Sequence, residues 1–321
     1  MKTVAERITA NISSVDVYSM VIMLIFCLMS VVFYPFIPNA ANVVVLDVFM
    51  ASAIGAMVVL HALTDVKLFA MFRRFYVIPI IYLMYDQVHV FVQTVHPIDY
   101  DDWFIIADRA IFGTDPTVWL ARFSSPLITE YLQICYFLFY VMPIMQAVEL
   151  WRKGDIERLD VFTRGMAFCY FISYLAYFAL PAIGPRFTLH DFAALDADLP
   201  GLLVTPVLRD LINIGGGIAI GTPDPVAVVN RDCMPSGHTM MTLVNILFGF
   251  RFRSRFRWFF FVIGGSLIIS TVYLRYHYVV DVLVGALMAV IFLSLEPWVN
   301  TWIESHMRSV TALWKTLLGE H

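Results

Sequence analysis

The sequence predicts an all-α fold, a polytopic membrane helical bundle with about eight transmembrane helices. Of its 321 residues, 60% are hydrophobic and only 14% are charged, and the mean hydropathy is +0.77. A soluble chain of this length needs a larger charged surface. The formal net charge of −4 excludes a generally basic nucleic-acid-binding protein. We expect a single integral membrane domain over residues 1–321.

The third observation is the length of the apolar segments. A helix needs roughly 20 apolar residues to cross the hydrocarbon core, where it must pair its own backbone polar groups. The predicted spans lie at about 17–38, 43–63, 75–96, 127–149, 165–181, 236–250, 258–274 and 277–297. The first is too long for the apolar region of a signal peptide, so we interpret it as an anchor.

The loops between these spans differ in basic residues. One side contains Lys2, Arg7, Lys67, Arg73, Arg74, Arg152, Lys153, Arg158, Arg164, Arg251, Arg253, Arg255, Arg257, Arg308 and Lys315. The other side contains Arg109, Arg122, Arg186, Arg209, Arg231 and Arg275, and it has no lysine. The positive-inside rule assigns the first side to the cytoplasm. We therefore expect an integral protein of the bacterial inner (plasma) membrane with both termini in the cytoplasm.

Two long segments fall on the outer side. Residues 98–126 contain an amphipathic stretch, Trp103 to Leu120, which is interpreted either as a helix at the membrane interface or as a connecting loop. Residues 182–234 are rich in Gly and Pro, and a connection of this length is usually functional or a lid. The glycines at 215–217 lack the Lys and Ser/Thr of a P-loop, so a flexible turn is the better interpretation.

Polar residues from distant segments converge at the outer face. Arg186 follows the fifth span, residues 235–238 open the sixth, and Arg275 lies where the seventh emerges. His277 and Asp281 begin the eighth span. Because their spans all end on the outer face, these ionisable groups are expected at one depth, as an active site requires.

The residue types at this face suit a phosphate group. Pro235 is expected in the first turn of a helix, so the following backbone N–H groups would face an anion at the positive end of the helix dipole. Guanidinium groups add forked, charge-assisted hydrogen bonds to phosphoryl oxygens. The predicted phosphate-binding residues are Arg186, Ser236, Gly237, Arg275 and Arg231.

Three residues are the candidate catalytic groups. His277 and Asp281 are four positions apart, so on a helix the carboxylate can hold one ring nitrogen protonated while the other attacks phosphorus. His238 then donates a proton to the leaving oxygen. The His/Asp pair alone is also compatible with half of a metal site or with a helix-stabilising contact.

Other polar and sulfur-containing residues are less specific. Asp86 and His89 in the third span and Glu130 in the fourth are candidates for a substrate cavity, or for hydrogen bonds between helices. The cysteines, Cys27, Cys135, Cys169 and Cys233, show no CxxC or Cys/His cluster in sequence. Their spacing indicates neither a disulfide framework nor a zinc site.

The motifs resemble those of the type 2 phosphatidic acid phosphatase superfamily. Its Pro-Ser-Gly-His signature is intact at 235–238, and its Ser-Arg-x5-His-x3-Asp signature is matched over 270–281 except that Thr271 stands in place of the arginine. Its Lys-x6-Arg-Pro signature is missing, and Gly184-Pro185-Arg186 is the nearest substitute. The match covers about 181–297. The sequence around 108–113 and 233–243 is also similar to the inositol phosphorylceramide synthase and sphingomyelin synthase branch.

The resemblance implies a six-helix core plus extra helices, with a catalytic segment at 165–297. It implies that His277 forms a phosphohistidine, that Asp281 orients it, and that His238 is the general acid and later the base, with no metal or other cofactor. The expected partner is a membrane lipid phosphate. Hydrolysis of phosphatidic acid or an isoprenoid phosphate is favoured, because water is always available. Headgroup transfer to a lipid hydroxyl is the alternative, and a non-enzymatic transporter is the second alternative.

Overall fold

The computed structural model describes residues 4–64 and 66–318, and these residues form helices and turns with no β-strand. The α-helices are α1 Val4–Thr9, α2 Ser14–Val32, α3 Ala40–Leu63, α4 Lys67–Phe75, α5 Val77–Val95, α6 Asp101–Phe112, α7 Pro116–Leu120, α8 Pro126–Phe137, α9 Met142–Arg152, α10 Ile156–Ala176, α11 Pro185–Thr188, α12 Leu195–Asp198, α13 Thr205–Gly215, α14 Pro225–Val228, α15 Gly237–Arg251, α16 Arg257–Tyr273 and α17 Val279–Leu318. Short 3-10 helices occupy Ala121–Phe123, Leu138–Tyr140 and Phe192–Ala194. The all-α prediction is confirmed.

Every predicted span coincides with a helix, but eight membrane crossings are not confirmed. Among the described residues, four helices are long and apolar enough to cross a membrane: Ser14–Val32, Ala40–Leu63, Phe69–Val95 and Val279–Ala312. A fifth is added if α8 and α9, which are bent by 48°, form one broken span. Helices α15 and α16 have 15 and 17 residues, which is shorter than a full crossing requires. Helix α10 contains Asp160 and Arg164, which lower its hydropathy.

The chain divides into two compact units. The first comprises Met1–Thr94, Asp160–Phe171 and Ile291–His321. Within it, Arg73 forms a buried ion pair with Asp16. Glu296 pairs with Arg164 and accepts a hydrogen bond from the Tyr18 hydroxyl at 3.0 Å. Buried charges are costly unless they are paired, so these contacts fix the helices that carry them.

The second unit comprises Val95–Leu159 and Ile172–Val290, and it contains both of the long segments that the sequence predicts on the outer side. Segment 98–126 forms α6 and α7, which are separated at Gly113, a residue with a φ of +72°. Left-handed backbone at the end of a helix favours glycine. Segment 182–234 was expected to be a loop, but it contains α11 to α14. The longest of these, α13, has 11 residues and was not predicted.

Some of the basic residues that predict the orientation in the membrane have no described position in the structure. Lys2 lies outside the described residues, and no side-chain position is described for Lys67 or Lys315. The exposed side chains Arg251, Arg253 and Arg255 occur at the turn between α15 and α16. The cytoplasmic location of this turn stays a prediction.

Candidate functional site

Helix α15 begins beside the other motif residues. The Ser236 hydroxyl accepts a hydrogen bond from the backbone N–H of the third residue of α15 at 3.2 Å, which makes Ser236 the N-cap. The Ser236 N–H donates to the backbone carbonyl of Asp281 at 3.1 Å. Two parts of the sequence interpretation are therefore corrected: Pro235 precedes the helix, and the N–H of Ser236 is already used. The N–H groups of Gly237 and His238 lie in the first turn, which provides no acceptor within the helix.

His277 lies in the turn between α16 and α17, not on α17 as the four-residue spacing suggested. Its Nδ1 is 2.8 Å from the backbone carbonyl oxygen of Cys233 and 3.5 Å from Oδ2 of Asp281. This geometry indicates that a proton on Nδ1 is donated to the carbonyl, which leaves the lone pair on Nε2. The ring is therefore oriented by a backbone group as well as by the carboxylate.

Asp281 lies in the first turn of α17, and its side chain is fully buried. Oδ2 accepts the N–H of Tyr278 at 2.9 Å and the thiol of Cys233 at 2.8 Å. Among the described residues, Oδ1 has no hydrogen-bond partner. Burial and the neighbouring Asp281 charge raise the pKa of Cys233 well above its usual value, so the thiol stays protonated and donates.

His238 faces His277 from the first turn of α15. The two ring centroids are 5.9 Å apart. The His238 ring stacks on Tyr136 at 4.5 Å and contacts Phe139 at 4.4 Å. The Tyr136 hydroxyl is 3.4 Å from Nδ1 of His238, whereas Nε2 is buried with no partner among the described residues. A buried, unpaired ring nitrogen is available for a proton transfer to a bound ligand.

Two predicted arginines are buried near this pair of histidines. The Arg186 guanidinium lies 4.9 Å from the centre of the Tyr276 ring and donates to Asn213 Oδ1 at 2.8 Å. Its backbone N–H donates to the carbonyl of Arg275 at 3.0 Å, which joins the two loops. Arg275 has a φ of +67°, a sparsely populated conformation for a side-chain-bearing residue, and it pairs with Asp198 at 2.8 Å. Both cations are therefore held in place beside the turn that carries His277.

The remaining candidates lie in other surroundings. Arg231 donates to Asp99 at 3.3 Å and to the carbonyl of Val229. Asp86, an exposed residue of α5, belongs to the first unit together with His89, which packs on Tyr85. The first unit contains a cavity of about 750 Å³, and neither Asp86 nor His89 is among its lining residues.

Glu130 fits the alternative of hydrogen bonding between helices, because both of its carboxylate oxygens accept hydrogen bonds from the segment that leads into α13. They accept backbone N–H groups from residues 202 to 205 at 2.7–3.2 Å and the hydroxyl of Thr205 at 2.6 Å. A carboxylate at the N-terminus of a helix also interacts favourably with the helix dipole. Glu130 thus anchors α13 to α8, and α13 carries the Asn213 side chain that holds Arg186.

Two aspartates of α6 contact the segments that carry the motifs, and these contacts were not predicted. Asp101 accepts the N–H groups of Ile183 and Gly184 at 3.0 and 2.8 Å, which fixes the start of the Arg186 loop. Asp108 accepts the N–H groups of residues 279 and 280 at 2.9 and 2.8 Å, which caps α17. Burial raises the pKa of both carboxyl groups. The sequence shows both residues as part of the acidic cluster at 98–126, but it does not indicate which backbone groups they bind.

The described residues also contain one group of side chains that could hold a metal ion. Cys233, His277 and Asp281 each offer one ligand atom, and these atoms lie within 4.8 Å of one another. The sequence had indicated no zinc site, because the three residues are far from any compact cysteine motif. The cluster therefore combines an imidazole nitrogen, a thiol and a carboxylate.

The chain was compared with known proteins. A family model described as the PAP2 superfamily matches residues 102–295, which include α6, both histidines and Asp281. No curated protein matches the chain. No solved structure matches it either.

Proposed function

Since the chain belongs to the PAP2 superfamily, we propose that it is an integral membrane lipid phosphate phosphatase that acts through a phosphohistidine on His277. The observation that carries this proposal is the pair of facing imidazoles, whose centroids are 5.9 Å apart. Transfer needs about 3 Å from the nucleophilic nitrogen to phosphorus and about 3 Å from the acid to the leaving oxygen. This separation lets both rings reach one phosphoryl group that is bound beside the pair.

In the first step, Nε2 of His277 attacks phosphorus while the bond to the lipid oxygen breaks. His238 gives its proton to that oxygen, and the lipid alcohol leaves. In the second step, His238 takes a proton from water, the hydroxide attacks phosphorus, and the bond to Nε2 breaks to release inorganic phosphate. The Cys233 carbonyl supports the cationic ring in both steps, because it accepts the Nδ1 proton at 2.8 Å.

The developing negative charge on the phosphoryl oxygens is expected to be stabilised by fixed donors. The first-turn N–H groups of Gly237 and His238 supply two of them. Arg186 and Arg275 supply charge, and their pairs with Asn213 and Asp198 hold them before substrate arrives. The Arg231 side chain is only 10% exposed and pairs with Asp99, and we propose for it only an outer role in attracting anionic lipids.

A second candidate is headgroup transfer to a lipid hydroxyl, as in the inositol phosphorylceramide and sphingomyelin synthase branch. The burial of the site favours this candidate, since Arg275 and His277 are 3% and 4% exposed. A transferase must keep water from the phosphohistidine until the alcohol binds. The two reactions share the first step and differ in the second acceptor.

The test is a panel of lipid phosphates incubated with the purified full chain, with and without a hydroxylated lipid, and analysed by mass spectrometry. The phosphatase proposal expects inorganic phosphate from phosphatidic acid or an isoprenoid phosphate without any added acceptor. Headgroup transfer would instead give a new lipid only when the acceptor is present. Turnover should persist in chelator.

Two variants and a matched control accompany the panel. His277→Asn and His238→Asn should each lower kcat by at least about 100-fold, because each removes a nucleophile or a proton donor. His190→Asn is the control, since His190 contacts Thr117 in the same outer region and lies outside the cluster. Normal turnover by His277→Asn would refute the mechanism.

A further inference from the structure

The inference concerns the side of His277 that faces away from the proposed phosphate position. Three pairwise distances describe this side: Cys233 Sγ to Asp281 Oδ2 is 2.8 Å, Cys233 Sγ to His277 Nδ1 is 3.6 Å, and Nδ1 to Oδ2 is 3.5 Å. All three side chains are at most 5% exposed. Nothing in the proposed phosphoryl transfer uses the Cys233 thiol.

We propose that Cys233, His277 and Asp281 bind one divalent zinc-like metal ion, and that its binding switches off His277. Tetrahedral zinc has bonds of about 2.0–2.3 Å to nitrogen, oxygen and sulfur, which places its ligand atoms about 3.3–3.7 Å apart. Two of the three observed separations already fall in this range. The third is a thiol hydrogen bond, and it lengthens when the metal replaces the proton.

Charge and ligand type favour this class of ion. A thiolate and a carboxylate together neutralise a divalent cation, so the occupied site adds no net charge to a buried region. Sulfur and imidazole nitrogen select zinc, cobalt or cadmium over magnesium and calcium, which prefer oxygen ligands. Oδ2 of Asp281 faces the other two ligand atoms, and Oδ1 is buried without a partner among the described residues, so the carboxylate has unused hydrogen-bonding capacity.

Binding changes the tautomer of His277. The metal takes the place of the Nδ1 proton, Nε2 takes up one proton in exchange, and the thiol proton leaves to solvent, so the neutral ring then carries its hydrogen on Nε2. A protonated Nε2 has no lone pair with which to attack phosphorus. The inhibitory part of this inference rests on the proposed function, whereas metal binding itself does not.

The first experiment measures binding without substrate. The full chain, purified in chelator and then freed of it, is titrated with Co²⁺, whose thiolate complex gives a charge-transfer absorption band. We expect one ion per chain and a thiolate band in the native protein. Cys233→Ser should bind at least about 100-fold more weakly, since even loss of an outer contact to a metal ligand costs 10–100-fold in affinity.

Cys135→Ser is the matched control, because Cys135 is equally buried on α8 and belongs to no cluster of metal ligands among the described residues. It should bind Co²⁺ as the native chain does. Asp281→Asn is a second test variant. It should bind Co²⁺ more weakly than the native chain, whether or not the variant turns over lipid. Absence of the thiolate band in the native chain, or equal affinity in Cys233→Ser, overturns the site.

The second experiment compares lipid turnover with and without Zn²⁺, each variant being measured relative to its own metal-free rate. The native chain and Cys135→Ser should lose at least about 90% of turnover once the site is filled, and chelator should restore it. Cys233→Ser should lose far less at the same Zn²⁺ concentration. Cobalt binding with full turnover would overturn the inhibitory role alone. A native chain that turns over no lipid phosphate, whatever the metal, would contradict the proposed function and leave the binding result standing.

Discussion

At the scale of single residues, His277 is oriented by two acceptors of different kinds. The Cys233 carbonyl at 2.8 Å forms the stronger hydrogen bond with Nδ1, because a contact at 3.5 Å, as with Asp281, is at the limit for such a bond. The main contacts of Asp281 are the Cys233 thiol and the N–H of Tyr278. The carboxylate thus stabilises the turn that carries His277.

The partner imidazole, His238, depends on Tyr136 for its position. We expect Tyr136→Phe to keep most activity, because the ring stack at 4.5 Å remains and the hydroxyl contact at 3.4 Å is long. Tyr136→Leu should lower kcat by about 10-fold with a smaller change in KM, since an aromatic pair contributes about 0.5–1.5 kcal/mol to holding a ring. Steady-state kinetics of the two variants provide the measurement. Equal loss in both variants would contradict a stacking role.

Some residues of the site could be predicted from sequence motifs, and others could not. His238, His277 and Asp281 form part of compact motifs, and the structure brings them together. The contact of Tyr136 with His238 and that of the Cys233 carbonyl with His277 were not predicted. Their roles depend on contacts between positions about 100 and 44 apart in the chain, and no local pattern records such a pairing.

At the scale of helices, the site depends on close packing between α17 and the start of α15. A Cβ at Gly285 of α17 would lie 2.5 Å from the backbone oxygen of Ser236. Both partners are backbone, so neither can move without shifting the helix that carries it. The two motif histidines are therefore positioned by a helix contact that tolerates only glycine.

Gly285→Ala should lower kcat by about 100-fold, because a displacement near 1 Å at a catalytic group has an effect of that size. Gly265→Ala on α16 is the control, since a Cβ there meets nothing within 4 Å and alanine favours a helix by up to about 1 kcal/mol. Activity and thermal unfolding in detergent are measured for both. Native activity in Gly285→Ala would argue against the packing account.

Helices α15 and α16 and the start of α17 were predicted within a few residues, whereas α13 and the extension of α17 to Leu318 were not. Apolar runs in the sequence identify α15, α16 and the first part of α17. Helix α13 is short, and it is held by Glu130, whose oxygens accept four backbone N–H groups. The hydrophobic periodicity of a segment gives no information about a stabilising contact from another helix. The same holds for the two capping aspartates of α6.

At the scale of the whole molecule, the distribution of basic residues predicts the orientation of the chain in the membrane. The arginines at the turn between α15 and α16 are expected in the cytoplasm, and segment 182–234 is expected outside. The number of crossings predicted from the sequence was eight, and the described helices support four or five by length and composition. Short and charged helices account for the difference.

Cysteine labelling tests this orientation. Arg255→Cys and Ile220→Cys place a thiol on two exposed positions, one on each expected side. A maleimide that cannot cross membranes should modify Ile220→Cys in intact cells, but Arg255→Cys only after lysis. The native chain is the control for background, because three of its cysteines are buried. The reverse labelling pattern would contradict the predicted orientation.

The most direct measurement of the central claim is a rapid-quench experiment with a lipid whose phosphate carries ³²P. We expect label on the protein within one turnover, stable to base and labile to acid as a phosphohistidine is, in the peptide that contains His277. The label should be absent from His277→Asn and present in His190→Asn. Steady release of phosphate with no labelled protein, or label on another residue, would contradict the account.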